Sequence, residues 1–236
     1  MASLSLIDRV LQSLAGLELR QLGRGDLDLF TSARIAALRL RALRDAEGTK
    51  SDQAHLILGV RSYPIDHPDR YALQVLATVL GGGMSSRLFL EVRERRGLAY
   101  YVHGVNNSYT DAGSLYAQAG VDINRIDEAV TTIVDQLKRL ADEAVPEDEL
   151  ERARSFTKGR FVLQLENPQG VILFGLRREA LEGEATEPDE VLAAIDAVTT
   201  ADLQRVAQDL VGGGALNLAV IGPFEDSERF EKLLAA

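Results

Sequence analysis

The sequence predicts an α+β fold in which an antiparallel sheet carries its helices on one face. Three observations predict it. Strictly alternating apolar runs come in adjacent pairs joined by short polar turns, so neighbouring strands return as hairpins. Apolar residues then recur at helical spacing between and after the pairs. The second half of the chain is mainly helical, which segregates helices from strands instead of alternating them as a doubly wound parallel sheet requires.

Element by element, Leu6, Val10, Leu11, Leu14 and Leu17 share a helical stripe that ends at Gly23-Arg24-Gly25. Ala36, Leu38, Leu40 and Ala42 alternate with Arg39 and Arg41, a half-buried strand over 35–43. A polar turn leads to a second alternating run, Ala54, Leu56, Leu58 and Val60, read as its antiparallel partner. After Pro64 and Pro68, a helix over 69–80 carries Tyr71, Val75, Leu76, Val79 and Leu80 and stops at Gly81-Gly82-Gly83. A second helix, about 85–96, holds Leu88, Phe89 and Val92, with Gly97 ending it. Residues 98–105 and 114–121 form the next strand pair. Asn124 caps a helix bearing Ile126, Val130, Ile133, Leu137 and Leu140, with Asp127 and Glu128 favourably near the positive end of its dipole. Pro146, followed by three acidic residues, opens a longer helix that Asn167-Pro168 interrupts. Thr186 and Thr199, each with Asp three residues on, signal capping boxes for two further helices. Leu216, Leu218 and Val220 alternate into a closing strand. The domain division expected is an N-terminal arm over 1–48 and a domain over 49–236.

A chain of 236 residues with no cysteine excludes disulfides, thiolate catalysis and cysteine-based zinc sites. Its net charge of −10 argues against a nucleic-acid partner, which wants a basic face. No apolar run reaches the roughly 20 residues that span a bilayer, so no membrane role is expected. The N-terminus lacks a basic segment followed by a long apolar one, which favours the cytoplasm.

The usual catalytic materials are scarce. His55, His67 and His103 stand far apart, and neither His-x-x-Glu-His nor His-Glu-x-x-His occurs. An open catalytic zinc site needs about three protein ligands. His55 and His103 are therefore read as strand residues and His67 as a turn residue. Gly81-Gly82-Gly83-Met84-Ser85-Ser86 follows a helix and lacks the lysine of a phosphate loop, so both triple-glycine runs are read as helix terminators. Helix capping accounts for Ser85 and Ser86.

One composite is more specific: Leu80-Gly81-Gly82-Gly83-Met84-Ser85-Ser86-Arg87-Leu88-Phe89, then Val92-Arg93-Glu94, then Gly97-Leu98-Ala99-Tyr100-Tyr101-Val102. It resembles the C-terminal half of pitrilysin-type (insulinase-like) zinc peptidases, the group that includes the mitochondrial processing peptidase. The resemblance runs from about residue 50 to 223, through Pro146-Glu147-Asp148-Glu149-Leu150 and Glu166-Asn167-Pro168. It implies a clamshell of two α+β halves around a peptide chamber. The N-terminal half binds zinc through His-x-x-Glu-His; the C-terminal half lacks that motif and contributes an Arg and, seven residues later, a Tyr. Those positions match Arg93 and Tyr100, the expected catalytic residues.

The resemblance thus implies a metal-free, substrate-binding half of a zinc metalloendopeptidase, inactive alone, with zinc held by a partner half that cleaves peptides. Other functional classes implied for the same fold are a non-catalytic scaffold and a peptide-binding module. Peptide hydrolysis develops negative charge on the carbonyl oxygen, which a fixed guanidinium or phenol stabilises. Strand alternation sends Tyr100 and Tyr101 to opposite sheet faces, so only one of them is expected to face the chamber.

Overall fold

The computed structural model describes residues 53–183, 186–212, 216–224 and 226–235. The stripe over 6–22, the strand over 35–43 and the arm over 1–48 lie outside these residues. The described elements are β1 (Gln53–Ser62), α1 (Arg70–Gly81), the short helix α2 (Phe89–Arg95), β2 (Ala99–Ser108) and β3 (Gly113–Asp122). Then follow α3 (Ile126–Asp142), α4 (Glu147–Gln164), α5 (Pro168–Glu182), α6 (Pro188–Asp196), α7 (Thr200–Ala207), β4 (Asn217–Ile221) and α8 (Ser227–Ala235).

The sheet runs β2-β3-β1-β4 and every pairing is antiparallel. Strand β1 is flanked by β3 over its whole length and by β4 from His55 to Gly59. Both of its edges are filled there by described strands. Ala54, Leu56, Leu58 and Val60 of β1 face Val121, Ala119, Ala117 and Leu115 of β3, and Leu218 and Val220 of β4 join them. All are buried on one face. Helices α1 and α3 lie against that face; α4 and α6 pack behind α1, and α7 wedges between α1 and α3. Leu73, Leu76, Leu80, Ile133, Leu137 and Leu140 complete the core, each contributing about 1.5–3 kcal/mol by leaving water. The opposite face of the sheet has no such cover from the described helices.

Close approach explains the first glycine of the triple run. A Cβ on Gly81 would lie 1.9 Å from the backbone nitrogen of Gly104, so the end of α1 and the middle of β2 touch backbone to backbone. The run is therefore more than a terminator: none of its three glycines has a positive φ, which among the described residues only Gly97 and Gly183 adopt.

Helix starts differ from expectation in three places. Asp122, not Asn124, caps the turn before α3, its carboxylate accepting from Asn124 N–H at 2.8 Å, and α3 proper begins at Ile126. Pro146 stands just outside α4, which begins at Glu147. Glu187 rather than Thr186 caps α6, because Pro188 takes the first helical position and holds its predecessor extended. Thr199 and Asp202 do form the expected box, and Asn167 caps α5 through Gly170 N–H at 2.8 Å.

The loop before α1 is tied to α7 by charge. Arg205 donates to both carboxylate oxygens of Asp69, at 2.6 and 2.7 Å, and to Asp202 at 3.2 Å. Hydrogen bonding from Arg205 holds the Asp69 carboxyl below the ordinary carboxylate range. The Thr199 hydroxyl does the same first for Asp202. Tyr63 donates to Asp209 at 2.5 Å, and burial followed by that bond pushes its phenol well above its usual range.

Two outcomes follow from these contacts. Gly81→Ala is expected to lower stability by about 1–3 kcal/mol through overpacking. Gly159→Ala in α4, where nothing lies within 4 Å of the added Cβ, is expected to raise it by up to about 1 kcal/mol. Chemical denaturation of both variants checks the contrast. A carboxyl whose folded-state pKa is depressed stabilises the fold above its unfolded pKa and loses that contribution as pH falls through the folded value. Thermal stability is therefore expected to hold from neutral pH to about pH 4 with respect to Asp69 and Asp202, then fall. Arg205→Ala should lower the neutral plateau and make the acid limb shallower; an unchanged acid limb would show the pair is inconsequential.

Candidate functional site

Helix α2 is wound more widely than an α-helix and is held to the core by Leu88 and Val92, with Leu98 buried just beyond it. Gly97, at φ 58°, turns the chain, while Leu98 N–H reaches the Val92 carbonyl at 2.8 Å and Gly97 N–H the Arg93 carbonyl at 3.1 Å. Arg125 pins the same turn by donating to the Arg96 carbonyl at 3.0 Å.

The three arginines of this region differ in their neutralisation. Arg95 and Arg96 both fold back onto the Glu91 carboxylate, Arg96 at 2.5 Å. Arg93 forms no ion pair among the described residues. Its guanidinium rests 4.9 Å above the Phe89 ring, worth roughly 0.5–1 kcal/mol where exposed. Arg93 is thus oriented by a ring but left with its donors free among the described groups. The neighbouring Ser-Ser-Arg stretch is structural instead: Ser86 donates to the Gly83 carbonyl at 2.5 Å, and Arg87 clamps Glu149 of α4 with two bonds of 3.0 and 2.9 Å.

Tyr100 sits on a bulge. Ala99 pairs with Val121 and Tyr101 with Gly120, leaving Tyr100 as an extra residue in the ladder, 77% exposed. A core role for its ring is excluded within this domain. The bulge also corrects the alternation argument. Ala99 and Val102 are both buried on the core face, so the two tyrosines between them break strict alternation, and Tyr101 lies on the open face. No hydrogen bond or ring contact joins Arg93 to Tyr100; they share the end of the sheet where α2 turns into β2.

The open face brings together residues that stand far apart in sequence. The Tyr101 ring lies over Gly120, whose added Cβ would come within 2.5 Å of it, and its hydroxyl meets His55 Nδ1 at 3.0 Å. His55, Tyr101 and His103 form a row with ring centroids 6.1 and 5.9 Å apart. His67 lies elsewhere, stacked on Tyr63 at 3.8 Å. Two histidines separated by a tyrosine do not make a zinc site, and among the described residues no three His, Cys, Asp or Glu side chains converge. The described donors do not fit the metal. Strand parity alone hinted at this row; seeing it required the register that sets His55 and Tyr101 on either side of Gly120.

A family model described as Peptidase M16 inactive domain matches residues 33–156, more than half of the chain. The chain belongs to the peptidase M16 inactive-domain family. An uncharacterized zinc protease of Streptomyces coelicolor is 38% identical over 181 residues, covering 77% of this chain and 39% of that protein. One of Bacillus subtilis is 35% identical over 161 residues, covering 68% and 39% respectively. A crystal structure of a peptidase M16 inactive domain from Pseudomonas fluorescens superposes with a TM-score of 0.67 at 19% identity, over 75% of this chain and 42% of that one. The chain thus spans about two fifths of the curated relatives it matches. The pitrilysin-type resemblance and the α+β half it implied are borne out as to family and fold. Among the described residues no helix is long and apolar enough to cross a membrane.

In this M16 domain Gly120→Ala is expected to push the Tyr101 ring aside and break its bond to His55. Chemical-shift changes at the His55 imidazole in NMR spectra check this, and an unperturbed His55 signal would contradict it.

Proposed function

We propose that this M16 inactive domain is the substrate-binding half of a zinc metalloendopeptidase, active only beside a zinc-bearing half that carries His-x-x-Glu-His. Zinc in that other half would supply the activated water. Arg93 and Tyr100 of this chain steady the scissile carbonyl oxygen as it gains negative charge. The observation that carries this reading is the presentation of Tyr100 on a bulge at 77% exposure, one tight turn from an arginine without an acidic partner among the described groups. Bulges re-aim side chains and recur beside active sites. The names of the relatives, zinc proteases of more than twice the matched length, support the pairing. Within this reading residues 49–236 form the domain and 1–48 a preceding arm.

The open sheet face, with Tyr101, His55, His103 and the 42% exposed Ile57, forms a wall of the chamber and contacts the peptide beyond the scissile bond. Such contacts bind ground and transition states alike, whereas Arg93 and Tyr100 act on charge that exists only in the transition state.

In the assembled pair, Arg93→Ala and Tyr100→Phe are each expected to lower kcat by about 10²–10³-fold while zinc content stays constant. Both side chains are exposed, so thermal stability should not change in Tyr100→Phe and should fall in Arg93→Ala by no more than the roughly 0.5–1 kcal/mol of its contact with Phe89. Tyr109→Phe, a residue 62% exposed in the hairpin between β2 and β3, is the control and should keep full turnover. A rise in KM alone would mark uniform binding, and wild-type turnover in both variants would remove the catalytic role.

A further inference from the structure

The winding of α2 decides which of its side chains meet. The helix bonds in the i→i+5 pattern, so residues four and five places ahead lie beside a given side chain. An α-helix sets residues three and four places ahead there instead. Glu91 accordingly takes both Arg95 and Arg96. Under α winding, at about 100° per residue, Arg96 would stand about 140° round the axis from Glu91 and point elsewhere. The same winding sets Arg93 over Phe89, with the guanidinium carbon 4.9 Å from the ring centroid. Glu91 thus engages two of the three guanidinium groups and Phe89 the third. The Phe89 ring is half-buried, yet it is not part of the group of side chains that packs on the core. Leu88 and Val92, both fully buried, anchor the helix there. Among the described residues, the Phe89 ring meets the Arg93 guanidinium and no other ring or cation.

We infer that Phe89 is a positioning residue for the reaction: its ring directs Arg93 toward the scissile carbonyl and leaves the positive charge free to act. This rests on the role proposed for Arg93 above and adds how that side chain is held. The negative face of an aromatic ring orients a cation without neutralising it. A carboxylate in the same place would fix the guanidinium too, but it would offset the charge that a developing oxyanion needs. That is the state of Arg95 and Arg96 on Glu91. An unheld arginine must also surrender rotamer freedom to engage the carbonyl, and a ring beneath it removes part of that loss in advance. The wide winding therefore sorts three neighbouring arginines into two that are neutralised and one that is aimed.

The test measures kcat and KM for the full chain assembled with the His-x-x-Glu-His polypeptide encoded in the same genome. Phe89→Leu keeps an apolar side chain but removes the π face. It should lower kcat about two- to fivefold, with KM and zinc content unchanged. Phe89→Tyr restores the face and should return kcat to the wild-type value. In an Arg93→Ala background Phe89→Leu should have no further effect, because the ring then has nothing to hold. An equal loss in both backgrounds, or no recovery in Phe89→Tyr, would overturn the inference. Wild-type turnover in Phe89→Leu beside an impaired Arg93→Ala would overturn it too, while leaving the role of Arg93 standing. Normal turnover in Arg93→Ala would remove that role and the positioning with it. If Phe89→Leu fails to fold or assemble, NMR spectra of the wild-type chain decide. The Phe89 ring current should move the Arg93 δ-methylene proton signals upfield, and signals at their ordinary positions would overturn the inference.

Discussion

The sheet has one apolar face, and that constraint organises the molecule. Leu56 and Leu58 of β1, Ala117 and Ala119 of β3, and Leu218 and Val220 of β4 all project to the same side. The period of two puts these residues on one face, and the other carries His55, Tyr101 and His103 with the exposed Ile57. The helices that need burial must therefore stack in layers on a single side, α1 and α3 first, then α4 and α6. Gly81 and Gly104 let α1 reach β2 at backbone distance. The opposite face remains available for function, and its occupants, Tyr101, His55 and His103, are amphipathic rings that tolerate either water or a bound chain.

The same constraint gives the bulge its consequence. Were β2 regular from Ala99, Tyr101 would enter the core and Val102 would leave it. The extra residue restores Val102 to the core, keeps Tyr101 on the open face and leaves Tyr100 outside the ladder. Gly97, the buried anchors Val92 and Leu98, and the Arg125 clamp then fix how α2 presents Arg93 at that end of the sheet. Glu91 absorbs the other two guanidinium groups, which keeps the local cationic character on Arg93.

Much of this was legible in the sequence. Strands β1, β2, β3 and β4 follow from alternation, and α1, α3 and α4 from their apolar stripes and end signals, because local period reports which face is buried. The Thr199 box and the Asn167-Pro168 break were equally local. What escaped depends on pairing across the sheet. Nothing near Ala54–Val60 says that β4, more than 150 residues later, fills its second edge. The bulge at Tyr100 is set by competition between Ala99 and Val102 for the same core, which a strict alternation rule does not weigh. Arg93 and Tyr100 were singled out by family resemblance; composition and spacing would have left them as an ordinary surface arginine and a core aromatic.

The account stands on the claim that this half cannot hold the metal and works only beside one that does. The most direct measurement is metal analysis and peptidase assay on the purified chain, on the His-x-x-Glu-His polypeptide, and on their mixture. The account predicts zinc only with the His-x-x-Glu-His polypeptide, and chelator-sensitive cleavage that the mixture shows far above either component. Stoichiometric zinc in the isolated chain, with chelator-sensitive cleavage by that chain alone, would contradict it.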